Sequence, residues 1–256
     1  MRKYRKGSVS SEISVDKGLK NREIGDDLTK FIDLLKKFDF CSDYGSMDHA
    51  GGMCTKKANE TQWSYNGSII FNIDTVGSSH PLDLDNLRVV FTIDIKAEQG
   101  EDSPICDPLQ SLNFDIEIYG TSDSKGNDIV CCWHLDRNKE INANPDHYSH
   151  PKYHLTFGGD KLPETGDYGK LIILPSPRIA YPPMDAVLGI DFIIQNYIDR
   201  NKTKTLIHDP TYREIVDKSQ RRLWKPYYHS ISSKWDYNVS AYDEQFNHTI
   251  LLPFLM

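Results

Sequence analysis

Long apolar runs are missing from this chain. No hydrophobic stretch approaches the roughly 20 residues that cross a bilayer, so the sequence predicts no membrane partner. The basic start, MRKYRK, is followed by Gly7, Ser8, Ser10, Ser11 and Glu12 instead of an apolar segment, so no secretory signal is read there. Cysteine is sparse and odd in number. Cys41, Cys54, Cys106, Cys131 and Cys132 make five without framework spacing, which points to free thiols in a reducing cytoplasm. Sequons such as Asn66-Gly67-Ser68 are then incidental. Excess positive charge is missing as well. With 30 Lys and Arg against 37 Asp and Glu, the net charge is -7, which argues against nucleic acid as the main partner, because phosphate binding needs clustered cations. Repeats, low-complexity tracts and an internal linker are absent too. The expectation is a flexible arm over 1–20 and a single α+β domain over 21–256.

Periodicity fills in that domain. Ile24, Leu28, Phe31, Ile32, Leu35 and Phe38 recur at helical spacing, with acids early and lysines late. Residues 41–61, rich in Gly and small polar side chains, read as a loop. Trp63–Asp74, Leu87–Lys96, Leu112–Tyr119 and Ile129–Asp136 alternate as strands, and Tyr153–Phe157 is a shorter fifth. Their connections are too short for crossover helices, so an antiparallel meander of four to five strands is expected. Its acids (Asp94, Asp115, Glu117) fall on a wet face opposite the apolar residues.

The last third changes character. The apolar run Leu171–Leu174 ends at Pro175, and Pro175, Pro177, Pro182 and Pro183 stiffen the connection that follows. Met184–Ile198 is apolar around its circumference and predicts a buried helix starting at Pro183. Within it, Asp185 suits the helix N-terminus, while Asp191 needs a partner such as Arg178, Arg221 or Arg222. A second helix is expected over about Pro210–Ser230, with Trp224 and Tyr227 packing inward. Its segment Arg221–Tyr228 also mixes cations with rings as binding surfaces do. The chain closes on ILLPFLM, apolar enough to dock on the domain or on a partner.

Chemistry-bearing residues concentrate in Trp133–Gly159, which holds four of the nine histidines. His134 and Asp136 share one strand face at i, i+2; His150 and His154 are four apart. If those strands pair, His134, Asp136, His150 and His154 approach one another as ligands for a divalent metal such as zinc. His134, Asp136 and His154 are then candidate catalytic residues. The same histidines can instead cap loops, bond backbone carbonyls or face solvent, and their spacing matches no recognised metal signature. Two further patterns compete with ordinary structural roles. Cys131 or Cys132 can be activated by an imidazole or fill the core. Asp94, Lys96, Asp115 and Glu117 can form a nuclease-like metal site or cross-strand ion pairs.

The pair His150-Pro151 followed by Gly158-Gly159, then Ser176-Pro177 before a buried helix, then Asp209-Pro210 before another, resembles the ubiquitin-conjugating enzyme family. The likeness covers roughly residues 23–230. It implies an N-terminal helix, an antiparallel meander and C-terminal helices on one face. Two departures stand out: no cysteine follows Cys132, so the thioester-forming residue is lacking, and Lys152 occupies the place of the family's Asn. The resemblance therefore implies a non-catalytic, interaction-type member. It would bind a protein partner through His150, Pro151, Gly158, Gly159, Arg178 and Trp224, with the proline-rich connector and the apolar tail. The alternative expectation is a metal-dependent hydrolase or nuclease. The sequence sets no oligomeric state.

Overall fold

Helix α1 (Asn21–Leu35) turns Ile24, Leu28, Phe31, Ile32 and Leu35 to one side and buries all five, as their three- and four-residue spacing requires. The computed structural model describes residues 21–39, 41–59, 61–73, 83–98, 106–122, 127–138, 149–158, 162, 177–235 and 246–255. The expected arm over 1–20 and the run Leu171–Leu174 lie outside these residues.

Residues 41–61, whose composition predicts a loop, instead supply strand β1 (Cys41–Asp43) and helix α2 (Met47–Lys57). Met47, Ala50 and Cys54 form an apolar stripe along α2, and each is fully buried. Gly51 sits where α1 and α2 cross: a Cβ there would stand 2.5 Å from the Gly25 carbonyl oxygen and 2.3 Å from Thr29 Oγ1. The glycine marks a close helix crossing, where a side chain would force the helices apart.

Six more strands follow: β2 (Gln62–Asn72), β3 (Leu84–Glu98), β4 (Leu109–Ser122), β5 (Asn127–Arg137), β6 (Tyr153–Phe157) and β7 (Ile179–Ala180). The sheet order is β1-β2-β3-β4-β5-β6-β7, and every neighbouring pair is antiparallel. The meander holds, but among the described residues it has seven strands, where four or five were expected. The two extra ones are edge strands of three and two residues, too short for alternation to reveal. Alternation divides the faces of the long strands. Phe71, Phe91, Ile93, Phe114, Ile116 and Leu135 are buried on one side, while Asn66, Asp94, Lys96 and Asn113 are exposed on the other.

Helices α3 (Ala186–Tyr197), α4 (Arg200–Ile207) and α5 (Pro210–Ser232) come next, then a 3-10 turn (Ser233–Trp235) and the short α6 (His248–Leu251). Helix α3 begins after Pro183, not at it: Asp185 is the N-cap and accepts from the Leu188 amide at 3.0 Å. Asp185, 1% exposed, also accepts from Ser219 Oγ at 2.7 Å and Arg222 Nη2 at 2.7 Å. Asp191 takes the Tyr212 hydroxyl at 2.6 Å instead of an arginine. The deeper carboxylate claims the cation, because its desolvation is the more costly. Helix α4 was invisible in sequence; only Thr203 and Leu206 of its polar run are buried.

The helical layer covers the apolar sheet face. Tyr65 OH accepts from the Ala186 amide at 2.9 Å, and the Arg222 guanidinium lies over the Trp63 ring at 5.7 Å. Phe31 of α1 meets Tyr212 of α5 at 5.1 Å between ring centroids. The apolar tail docks only in part: Leu251 is fully buried, as is Phe246 before it, and the Lys152 amide donates to the Ile250 carbonyl at 3.0 Å, while Pro253 and Phe254 are exposed, Phe254 at 54%. Among the described residues no helix is long and apolar enough to cross a membrane.

Candidate functional site

Register builds the histidine cluster. Pairing of β4 with β5 sets Asp115 opposite His134, and pairing of β5 with β6 sets Asp136 opposite His154. Their strand neighbours Phe114, Leu135 and Leu155 point into the core, so all four polar side chains share the face turned away from the helices. Asp94 and Asn113 continue the row that holds Asp136. Asp94 and Lys96 are exposed, and Glu117 accepts the Tyr119 hydroxyl.

His134 is held between two carboxylates, with Nδ1 2.6 Å from Asp115 Oδ1 and Nε2 2.6 Å from Asp136 Oδ1. Carboxylates only accept, so both ring nitrogens carry protons and the ring is an imidazolium. Burial pulls its pKa down, but the two carboxylates outweigh this and lift it to about 10. Asp136 is opposed by its own desolvation, yet His134 holds its pKa below the ordinary value. His154 is the opposite case. Its Nδ1 faces the Pro151 carbonyl at 3.1 Å, so Nδ1 carries the proton. Its Nε2 lies 4.0 Å from Asp136 Oδ2, and the His150 ring stands edge-on at 4.6 Å. Burial first, then the neighbouring His150, pushes the His154 pKa down to about 4. Two histidines in one cluster therefore sit in opposite charge states at neutral pH.

The structure thus brings together His134, Asp136, His150 and His154 and adds Asp115, which the sequence placed on the wet face without linking it to His134. As placed, both His134 nitrogens face carboxylates, and among the described residues no group of three or more His, Cys, Asp or Glu could hold a metal ion. Burial raises Cys41 to about 12 and Cys54 to about 11, and it raises Cys131 as well, away from the thiolate in each case. No family model, curated protein or solved structure matches this chain.

The His-Pro passage is built into the domain. Pro151 is buried and its carbonyl fixes the His154 ring. Lys152, 3% exposed, pairs with Asp107 Oδ2 at 2.9 Å. Arg137 Nη2 reaches the same oxygen at 2.8 Å, and the Tyr153 hydroxyl donates to Asp107 Oδ1. Sequence reasoning missed Asp107 and Arg137. Their only signal was polar residues beside strand ends, and no periodicity links positions 107, 137 and 152. Gly158, at φ 92°, donates its amide to the Cys132 carbonyl at 2.9 Å; Gly159 lies outside the described residues. Arg178 precedes β7 and adds to the positive surroundings of His154. Trp224 is elsewhere, in the helical layer, where its indole Nε1 donates to the Pro183 carbonyl at 3.0 Å. The candidate binding set therefore splits between the two sides of the sheet. Phe157 and Ile179, 44% and 50% exposed, are apolar residues at the β6–β7 end that the sequence did not single out.

Proposed function

We propose that this chain is an intracellular accessory protein with a ubiquitin-conjugating-like architecture but no thioester chemistry, and that it binds a protein partner through the β6–β7 end. The observation that carries the reading is the fate of Lys152. Where the resembled family places its Asn, this chain has a buried lysine locked onto Asp107 beside Arg137, a structural tie with no group aimed at a reacting carbonyl. The lack of any cysteine after Cys132 points the same way. Element order supports the architectural half, with an N-terminal helix, an antiparallel meander, the His-Pro passage and then helices on one face, although α2 interrupts the meander between β1 and β2. Exposed Phe157 and Ile179 beside Arg178 supply apolar anchors with a polar rim, the composition of a protein contact. The described side chains offer no ligand set to the metal-dependent hydrolase alternative.

A photo-crosslinking residue at position 179 tests this against one at exposed Asn66 on the open sheet face. The expected outcome is a defined protein captured only from 179, whose purified form loses affinity at least about tenfold for Ile179→Asp. Equal capture from both positions, or an affinity unmoved by the substitution, would overturn the docking half. A thiol-reducible adduct with a ubiquitin-like protein under charging conditions would overturn the non-catalytic half.

A further inference from the structure

The acidic balance of the chain conceals a basic layer. Between Asp199 and Trp235 there are nine Lys and Arg against four Asp and Glu within a chain of net charge -7, although Arg222 and Lys218 also pair with Asp185 and Asp27 from outside that span. Two of the four acids are committed to helix caps: Asp199 Oδ1 accepts from the Asn201 amide at 2.7 Å, and Asp209 Oδ1 from the Thr211 amide at 2.8 Å. Arg200, Lys204, Arg213 and Lys225 are exposed and make no ion pair among the described residues.

Helix α5 sorts this charge by face. Tyr212, Ile215, Val216, Ser219, Leu223, Tyr227 and Ser230 are buried, so the opposite stripe carries Arg221, Lys225, Tyr228, His229 and Ser232, all exposed. The 3-10 turn that follows adds Trp235. Tyr228 is 52% exposed and Trp235 65%, two of the five exposed large hydrophobic residues described. An indole left in water beside lysines and arginines is the composition of a contact surface, since Trp, Tyr and Arg dominate interface energetics.

We propose that the outward stripe of α5, from Arg221 to Trp235, docks an acidic protein segment that carries apolar side chains. Charge complementarity selects an acidic occupant, and the two rings, seven positions apart in sequence, select one with apolar anchors at a matching repeat. A single-stranded nucleic acid fits less well. Asp217 holds Arg221 at 2.7 Å and Glu214 holds Lys218 at 3.0 Å, so acids interrupt the continuous positive track that a phosphate backbone needs. This surface lies in the helical layer, where Tyr227 packs on Tyr153 of β6 and Tyr228 lies near Tyr181 just after β7; its test turns on Lys225 and Trp235, which the reading given to the β6–β7 end does not use.

The test uses the full chain and a fluorescein-labelled, glutamate-rich peptide bearing two leucines seven positions apart, with fluorescence anisotropy at low and moderate salt. Saturable binding is expected, weakened by salt, by replacing the leucines with serine, and about five- to tenfold by either Lys225→Glu or Trp235→Ala. Lys96→Glu, exposed on the far sheet face, should leave it unchanged. Circular dichroism of each variant separates lost binding from lost folding, and Lys225→Gln serves where the charge reversal fails to fold. No binding at low salt, binding indifferent to both α5 variants, or tighter binding of oligothymidylate through the same residues would each overturn the proposal.

Discussion

Replacing His134 by Gln should remove the cation between Asp115 and Asp136 and flatten a pH dependence that the wild-type chain must show. The folded pKa of His134 is lifted from 6.5 to about 10. At about 1.4 kcal/mol per unit, that displacement sets a ceiling near 5 kcal/mol. Asp136 has a side chain 41% exposed, so solvent screening cuts the expected effect to about 2–3 kcal/mol. The lowered pKa of Asp136 reports the same contact seen from its other end, so it is not counted again. The sign follows from proton binding. Between about 6.5 and about 10 the folded chain holds a proton that the unfolded chain has released, so stability is full below 6.5 and falls as pH rises through that window. His154 works oppositely: its folded pKa of about 4 lies below the unfolded value, so its contribution is full above 6.5 and is lost as pH falls towards 4. Urea unfolding at pH 6.5, 8 and 9.5 should show the wild-type chain losing about 2–3 kcal/mol that His134→Gln does not lose. Parallel wild-type and variant profiles, or an imidazole proton resonance for His134 with a midpoint near 6.5, would refute the clamp.

Three further outcomes are expected. Nitrogen-15 NMR should find His154 neutral at pH 6 with its proton on Nδ1, because that nitrogen faces the Pro151 carbonyl at 3.1 Å; titration near 6.5 would show that the ring is not held as described. Lys152→Met removes one of two cations from Asp107 and should cost about 1–3 kcal/mol, with Arg137 remaining to limit the loss. It should also hasten proteolytic clipping of the 246–255 tail, whose Phe246 ring centroid lies 6.0 Å from Lys152 Nζ, and an unchanged clipping rate would sever that link. Gly189→Ala places a methyl 2.5 Å from Phe114 Cε2 and 2.6 Å from Phe91 Cζ, rings that are fully buried. Overpacking of about 1–3 kcal/mol should outweigh the roughly 1 kcal/mol gain in helix propensity, and a raised melting temperature would contradict it.

The long elements were legible because each buries one face. The four alternating strands and the two long helices advertise their period, and Tyr153–Phe157 appears with the bounds expected for it. The failures have a common cause in shortness or close approach. Strand β7 is two residues long and cannot display an alternation. Helix α2 was hidden because Gly51 and Gly52 carry turn-like composition, while the Gly51 backbone is what lets α1 approach. The partner of Asp191 was misjudged because choosing between Asp185 and Asp191 for Arg222 depends on which carboxylate lies deeper, a property of the packed layer.

The candidate site was legible as a gathering of residues and illegible as a charge state. Spacing along β5 implied that His134, Asp136 and His154 would share a face if β5 and β6 paired, as they do; His150, outside β6, meets His154 from the preceding passage. Whether a histidine in such a place is a ligand, a base or a fixed cation depends on how many acceptors reach it. That number follows from cross-strand register, which brings Asp115 to the second nitrogen of His134. One carboxylate on Nδ1 would have left Nε2 free to take a proton or a metal. Two carboxylates at 2.6 Å consume both nitrogens and turn the same side chain into a buried positive charge that ties three strand positions together. Removing Asp115 by an Asp-to-Asn change is therefore the substitution that should return the ring to ordinary histidine behaviour, bringing its midpoint down from about 10 while Asp136 alone still keeps it above 6.5.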